Sequence, residues 1–99
     1  MIRGLSVAAC ALVAACSTPQ ALAPGPGATQ AHFDDASHWT ASDGYRIAFS
    51  AWAATKPRAV IVALHGMNDY GEAFALPAKF WAENGVTTYA YDQRGFGRT

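Results

Sequence analysis

The hexapeptide AVIVAL, Ala59–Leu64, constrains this chain more than any other stretch. It holds no polar side chain and is rich in β-branched residues, the pattern of a strand buried on both faces. Strands of that kind belong to parallel sheets, whose crossover helices cover the sheet faces. The run stops at His65-Gly66, and a polar loop, Met67-Asn68-Asp69-Tyr70-Gly71, follows. A helical stretch comes next, then a second β-rich run, Val86-Thr87-Thr88-Tyr89-Ala90-Tyr91. Residues 59–91 therefore have the order and the size, about 30 residues, of one β-α-β unit. Its strands should be parallel and its crossover right-handed.

Pro77 interrupts the helical stretch and biases Leu76 away from the α region. The pattern predicts a short turn through Glu72–Leu76, then a helix with Pro77 at its first position. Ala73/Phe74, Pro77 and Phe80/Trp81 recur at helical spacing and predict the buried stripe. Gly85 supplies the stop. Upstream, Ser42-Asp43-Gly44 has the residues of a tight turn. Tyr45, Ile47 and Phe49 alternate with Arg46, Ala48 and Ser50, which predicts a half-exposed antiparallel hairpin at the edge of the sheet. Thr55-Lys56-Pro57-Arg58 is the next turn.

The first residues read as an address. One cation, Arg3, precedes a largely apolar run from Leu5 to Ala15. A spanning helix needs about 20 apolar residues, so the run suits the core of a secretory signal instead. Val13-Ala14-Ala15-Cys16 resembles the lipobox of bacterial lipoproteins. That resemblance implies cleavage before Cys16, lipid attachment to Cys16, and anchorage in the bacterial cell envelope, facing the periplasm. A rival small-x-small site, Ala21-Leu22-Ala23, would give plain secretion. The following PQALAPGPGATQ is uncharged and rich in Pro, Gly and Ala, the composition of a tether. The expected organisation is a signal over 1–15, a tether over 16–32 and a folded part over 33–99.

With 99 residues the chain is enough for one small domain. Seven basic and seven acidic side chains cancel, so no basic surface tracks a nucleic acid. The two cysteines, Cys10 and Cys16, both lie in the leader, which excludes a disulfide or a cysteine metal site after it.

Three chemistries compete for the loop after Leu64. Gly66 and Gly71 have the glycine spacing of a phosphate-binding loop, but Glu72 and Ala73 stand where a lysine and a hydroxyl are required. A glutamate there repels phosphate. His65, Asn68, Asp69 and Glu72 make no recognised metal spacing, and His32 and His38 read as solvated, so no metal is expected. An oxyanion remains. Acyl transfer develops negative charge on an oxygen, and backbone N–H groups fixed in a tight loop at a strand end stabilise it without reorganising.

The ordered set HGMNDYG, helix, TYAYDQRGFGRT resembles the amino-terminal part of the α/β-hydrolase superfamily. It is most similar to the monoacylglycerol lipase and lysophospholipase-like branch, also described as serine aminopeptidase S33-like. The motif positions are His65-Gly66-Met67-Asn68-Asp69 and Asp92-Gln93-Arg94-Gly95-Phe96-Gly97-Arg98-Thr99, with Asp43-Gly44 and Trp52 upstream. Thr99 departs from a common serine. Asn68 stands where the dehalogenase and epoxide-hydrolase branches commonly carry proline. The resemblance implies that the Met67 backbone N–H is one oxyanion donor, with His65 and Gly66 setting the loop path. It implies pocket lining by Tyr70 and Phe74. Asp92, Arg94, Gly95 and Gly97 are expected to form a tight turn knit by a local ion pair.

The implied fold is α/β, the beginning of an α/β-hydrolase sheet: an antiparallel edge hairpin followed by the β-α-β unit. No G-x-S-x-G occurs, and Ser42 and Ser50 sit in a turn and on a strand. The family order of serine, acid and histidine places the whole triad beyond Thr99. One sheet face would then lack cover. The chain is accordingly expected to be an amino-terminal fragment, or a truncated reading frame, of a serine hydrolase. Its expected substrate is a small-molecule or lipid ester such as a monoacylglycerol or lysophospholipid, and no cofactor is implied. The alternatives are a non-catalytic lipid-anchored module and an S33-type peptidase.

Overall fold

The computed structural model describes residues 21–99; the signal segment and Cys16 lie outside the described residues. Five strands form one mixed sheet, β1 (His32–Phe33), β2 (His38–Thr40), β3 (Arg46–Trp52), β4 (Ala59–Leu64) and β5 (Val86–Tyr91), in the order β1-β2-β3-β5-β4. The helix α1 (Ala75–Glu83) joins β4 to β5. Among the described residues no helix is long and apolar enough to cross a membrane.

The β-α-β unit forms at its expected boundaries. β4 and β5 are parallel neighbours, in register from Ala59 opposite Val86 to Leu64 opposite Tyr91. Gly71–Phe74 makes a 3₁₀ turn and α1 starts at Ala75, so Pro77 occupies the third helical position rather than the first. Any first-turn position tolerates proline, because those N–H groups have no intrahelical acceptor. The buried stripe is also offset. Ala78 is fully buried and Phe74, Ala75, Trp81 and Ala82 half-buried, while Pro77 and Phe80 face outward. Gly85 ends the helix at φ 80°, and Arg58 donates from Nε to the Asn84 carbonyl, a cation on the negative helix end.

The hairpin forms around Ser42–Gly44, with β2 antiparallel to β3. It lies near the sheet edge, with only the two-residue β1 outside β2, and its inner strand joins the rest of the sheet. β3 pairs with β5 on its other side, Phe49 opposite Tyr91 and Ala51 opposite Tyr89, and is interior. Ile47, Ala48 and Phe49 are consecutively buried as a result. Within the expected tether, Gly27 and Thr29 N–H groups donate to the Asp43 and Ser42 carbonyls, and His32–Phe33 adds a short outer strand to β2.

β4 differs from its expectation in a consequential way. Ala63 is buried and Ile61 half-buried, but Val60, Val62 and Leu64 are 60%, 65% and 59% exposed. α1 covers only one face of the sheet. The opposite face is an open apolar concavity of about 310 Å³, lined by Phe33, Trp39, Phe49, Val62, Tyr89 and Tyr91. The apolar composition of AVIVAL matches a two-sided burial that these residues supply on one side alone.

Candidate functional site

Parallel pairing brings the carboxyl ends of β4 and β5 together, so two loops leave the same sheet end side by side. The first is His65–Tyr70. The second is Asp92–Thr99.

His65 roots the first loop. Its ring is 5% exposed and packs edge-on against Phe96, with centroids 5.5 Å apart. The Gln93 N–H lies 2.9 Å from Nε2, and Nδ1 lies 2.7 Å from the Gly66 carbonyl oxygen. A backbone N–H only donates and a carbonyl only accepts, so Nε2 is the acceptor and Nδ1 carries the proton. The Gln93 carboxamide returns a bond to the His65 carbonyl at 2.5 Å. Beyond this root, Gly66 to Tyr70 are all exposed, Met67 at 86%. Asp69 N–H closes a turn on the Gly66 carbonyl at 3.3 Å, with Asn68 at φ 61°, a conformation that asparagine tolerates. Among the described residues no acceptor takes the Met67 N–H.

Asp92 roots the second loop. It is fully buried, and its carboxylate accepts from Gly71 N–H at 2.7 Å, Arg98 N–H at 2.9 Å and Arg98 Nε at 3.0 Å. Burial alone would raise its pKa. The Arg98 and Gly71 N–H groups and the Arg98 guanidinium outweigh that penalty and hold it below the ordinary carboxylate value. Gly71 must lack a side chain, since a Cβ would sit 2.5 Å from the Ala90 carbonyl oxygen. Gly97, at φ 53°, faces Asp92 as closely, and Gly95 turns at φ 84°.

The expected local ion pair is corrected. Asp92 binds Arg98, whereas Arg94 reaches across to Asp43 with two bonds, at 2.5 and 2.7 Å, and stacks over Tyr45 at 4.6 Å. The Arg94 guanidinium, helped by the Tyr45 and Gly25 N–H groups, lowers the Asp43 pKa to about 2. The D-G turn and the D-x-R-G turn are thus one assembly. Thr99 completes it, its hydroxyl accepting from the Ala48 N–H at 2.9 Å, a role a serine hydroxyl shares.

Three participants escaped the sequence reading: Arg98, Glu72 and Ser50. Ser50 Oγ donates to Glu72 Oε2 at 2.6 Å, and Arg98 donates to Ser50 Oγ at 3.0 Å. The signal for Arg98 was present, since it lies within the same turn as a carboxylate. Ser50 and Glu72 are 22 positions apart and only the sheet topology joins them. A cavity of about 320 Å³ opens between the two loops, lined by Tyr70, Glu72, Asp92, Gly97 and Arg98. Tyr70 is on its wall. Phe74 is not; it is half-buried at the end of the 3₁₀ turn that precedes α1.

Among the described residues no group of histidine, cysteine or carboxylate side chains is arranged to hold a metal. His32 and His38 each meet a neighbouring aspartate, Asp34 and Asp35, near the surface.

No solved structure matches the chain. Residues 55–99 match the family model described as Serine aminopeptidase, S33. That span holds the His65–Met67 loop, α1 and the Asp92–Thr99 turn, and the match supports an α/β-hydrolase sheet for this part of the chain and hydrolase chemistry of that superfamily.

Proposed function

We propose that this chain supplies the oxyanion side of a serine hydrolase that cleaves carboxylic esters, a monoacylglycerol, a lysophospholipid or a similar lipid. In this reading the chain is the amino-terminal part of the enzyme, and the nucleophile, acid and base lie outside residues 1–99. One observation carries it: the Met67 N–H has no acceptor among the described residues, on a loop whose root is held by a buried histidine. The proposed cycle is serine attack on the ester carbonyl, a tetrahedral oxyanion held by Met67 N–H and a second donor, loss of the alcohol, and hydrolysis of the acyl-enzyme by water.

The uncovered apolar face supports the partial-domain reading, because an open concavity lined by Phe33, Trp39 and Tyr89 is a surface that further chain would bury. The S33 description favours a peptidase as the second reading. A lipid anchor at Cys16 would place the site at a membrane surface in the cell envelope, next to lipid substrates.

Sequencing the gene through the codon for Thr99 tests the reading. A continuing frame with a G-x-S-x-G after another apolar strand, and a product that hydrolyses monoacylglycerol esters, supports it. A stop codon at that point favours a lipid-anchored module without activity of its own.

A further inference from the structure

The Gly66–Met67 peptide carries two functions in one rigid plane. Its nitrogen is the proposed oxyanion donor, and its oxygen is the acceptor of the His65 Nδ1–H at 2.7 Å. The unit is trans and planar, so an oxygen fixed on one side directs the N–H to the other. The His65 bond depends in turn on a third group. Nδ1 holds the proton because Nε2 accepts the Gln93 N–H at 2.9 Å, which selects one tautomer of the neutral ring. The ring is buried against Phe96 and the Gln93 carboxamide holds the His65 carbonyl, so the donor end of the bond is fixed; the Gly66 carbonyl, on the exposed loop, also accepts the Asp69 N–H at 3.3 Å, which holds it from the other side.

We propose that His65 is a positioning residue that sets both the direction and the strength of the Met67 donor. A hydrogen-bonded series runs from Gln93 N–H through the imidazole to the Gly66 carbonyl, and it ends in the Met67 N–H. Bonds in series polarise one another, and an amide whose oxygen accepts a hydrogen bond donates more strongly from its nitrogen. An oxyanion hole needs donors already aimed before charge develops. The relay provides this at a position where Met67 itself is exposed and makes no packing contact to hold it. It also explains a histidine at this point, since the role needs an acceptor and a donor on opposite sides of one rigid ring. The proposal rests on the oxyanion reading of the loop.

Nuclear magnetic resonance on the full chain, labelled with ¹⁵N, tests it without turnover. The ring spectrum of His65 should show a protonated Nδ1 and an unprotonated Nε2. Three variants then separate the relay from packing. His65→Asn keeps a carboxamide donor near the Nδ1 position; His65→Gln moves the carboxamide towards Nε2; His65→Ala has neither. The Met67 amide proton should move upfield in His65→Gln and His65→Ala and return towards its original position in His65→Asn. A ring protonated on Nε2 overturns the proposal from the unmodified chain alone, whether or not a variant folds. A Met67 amide that moves equally in all three variants overturns it as well. Esterase activity in a longer product is scored separately, so a correct tautomer with no esterase sinks the hydrolase reading and leaves the relay intact.

Discussion

The two loops at the carboxyl end of the sheet follow parallel neighbours, Leu64 and Tyr91, and they are held in opposite ways. The turn after β5 is organised around a buried carboxylate and tied to distant parts of the chain by Arg94–Asp43, Arg98–Ser50 and Thr99–Ala48. The loop after β4 is clamped at its root by His65 and exposed from Gly66 onward. The contrast separates two kinds of motif residue. In the second turn the charged side chains build the fold. In the first loop the side chains after His65 are exposed, and the proposed reading rests on the backbone.

The largest way to break that contrast is Asp92→Ala. It leaves the Gly71 and Arg98 N–H groups without their acceptor and strands a half-exposed guanidinium. Removing one partner of a buried, multiply bonded carboxylate costs about 3 kcal/mol. A domain of this size has little more than that to lose. The expected outcome is loss of a cooperative transition in urea, or a midpoint collapsed towards zero denaturant. An unchanged midpoint would mean that the turn is held by something other than Asp92.

Gly71→Ala tests the seam between the two loops. Its added carbon meets the Ala90 carbonyl at 2.5 Å, backbone against backbone, so β5 must shift. Overpacking of this kind costs about 2 kcal/mol. Circular dichroism during urea titration should show the lower midpoint. A Ser substitution should be no better, since the clash arises at Cβ.

The Asp43–Arg94 tie is smaller, because both side chains are about a third exposed and water screens the pair. Its signature is the pH dependence. Asp43 titrates at about 2 in the folded chain, below its ordinary value of 3.8. The unfolded state therefore binds the proton more readily, so this contribution is complete above the unfolded value and is lost as pH falls through about 2. Asp43→Asn should flatten the acid limb of the stability curve between those two values and leave neutral pH less affected than Asp92→Ala does. An acid limb that keeps its slope in Asp43→Asn would assign the acid sensitivity to Asp92 and Asp35, whose carboxyls are also held below the ordinary value.

Much of this was legible in the sequence. Hydrophobic periodicity and turn residues placed β4, β5, the Gly85 stop and the hairpin, because those are local properties of a few consecutive residues. The place of the loop at His65 was legible because an apolar, β-branched run ends there in His-Gly followed by polar residues. Pairing was not. Asp92 and Arg94 stand two apart and invite a local pair, yet the buried Asp92 carboxylate is taken by Gly71 and Arg98, and the loop delivers Arg94 to Asp43 instead. The same holds for β3, whose alternation reads as an edge until β5 is known to lie beside it rather than β4. The one-sided exposure of Val60, Val62 and Leu64 depends on what covers the sheet, which no local pattern contains.

The smallest expected effect sharpens the contrast most. Met67 is 86% exposed, so Met67→Ala removes almost no buried surface and should leave the urea midpoint within about 0.5 kcal/mol of the parent. If Met67 contributes through its backbone, the same substitution should also leave the donor in place, and a longer product should keep its turnover number with at most a change in KM. Met67→Pro deletes the N–H itself while leaving an exposed side chain. Loss of one oxyanion donor lowers kcat by about a hundredfold or more. The pair of substitutions at one residue thus separates side chain from backbone. Equal losses of kcat in both would return Met67 to an ordinary apolar contact, and the loop after β4 would have to be read, like its neighbour, through its side chains.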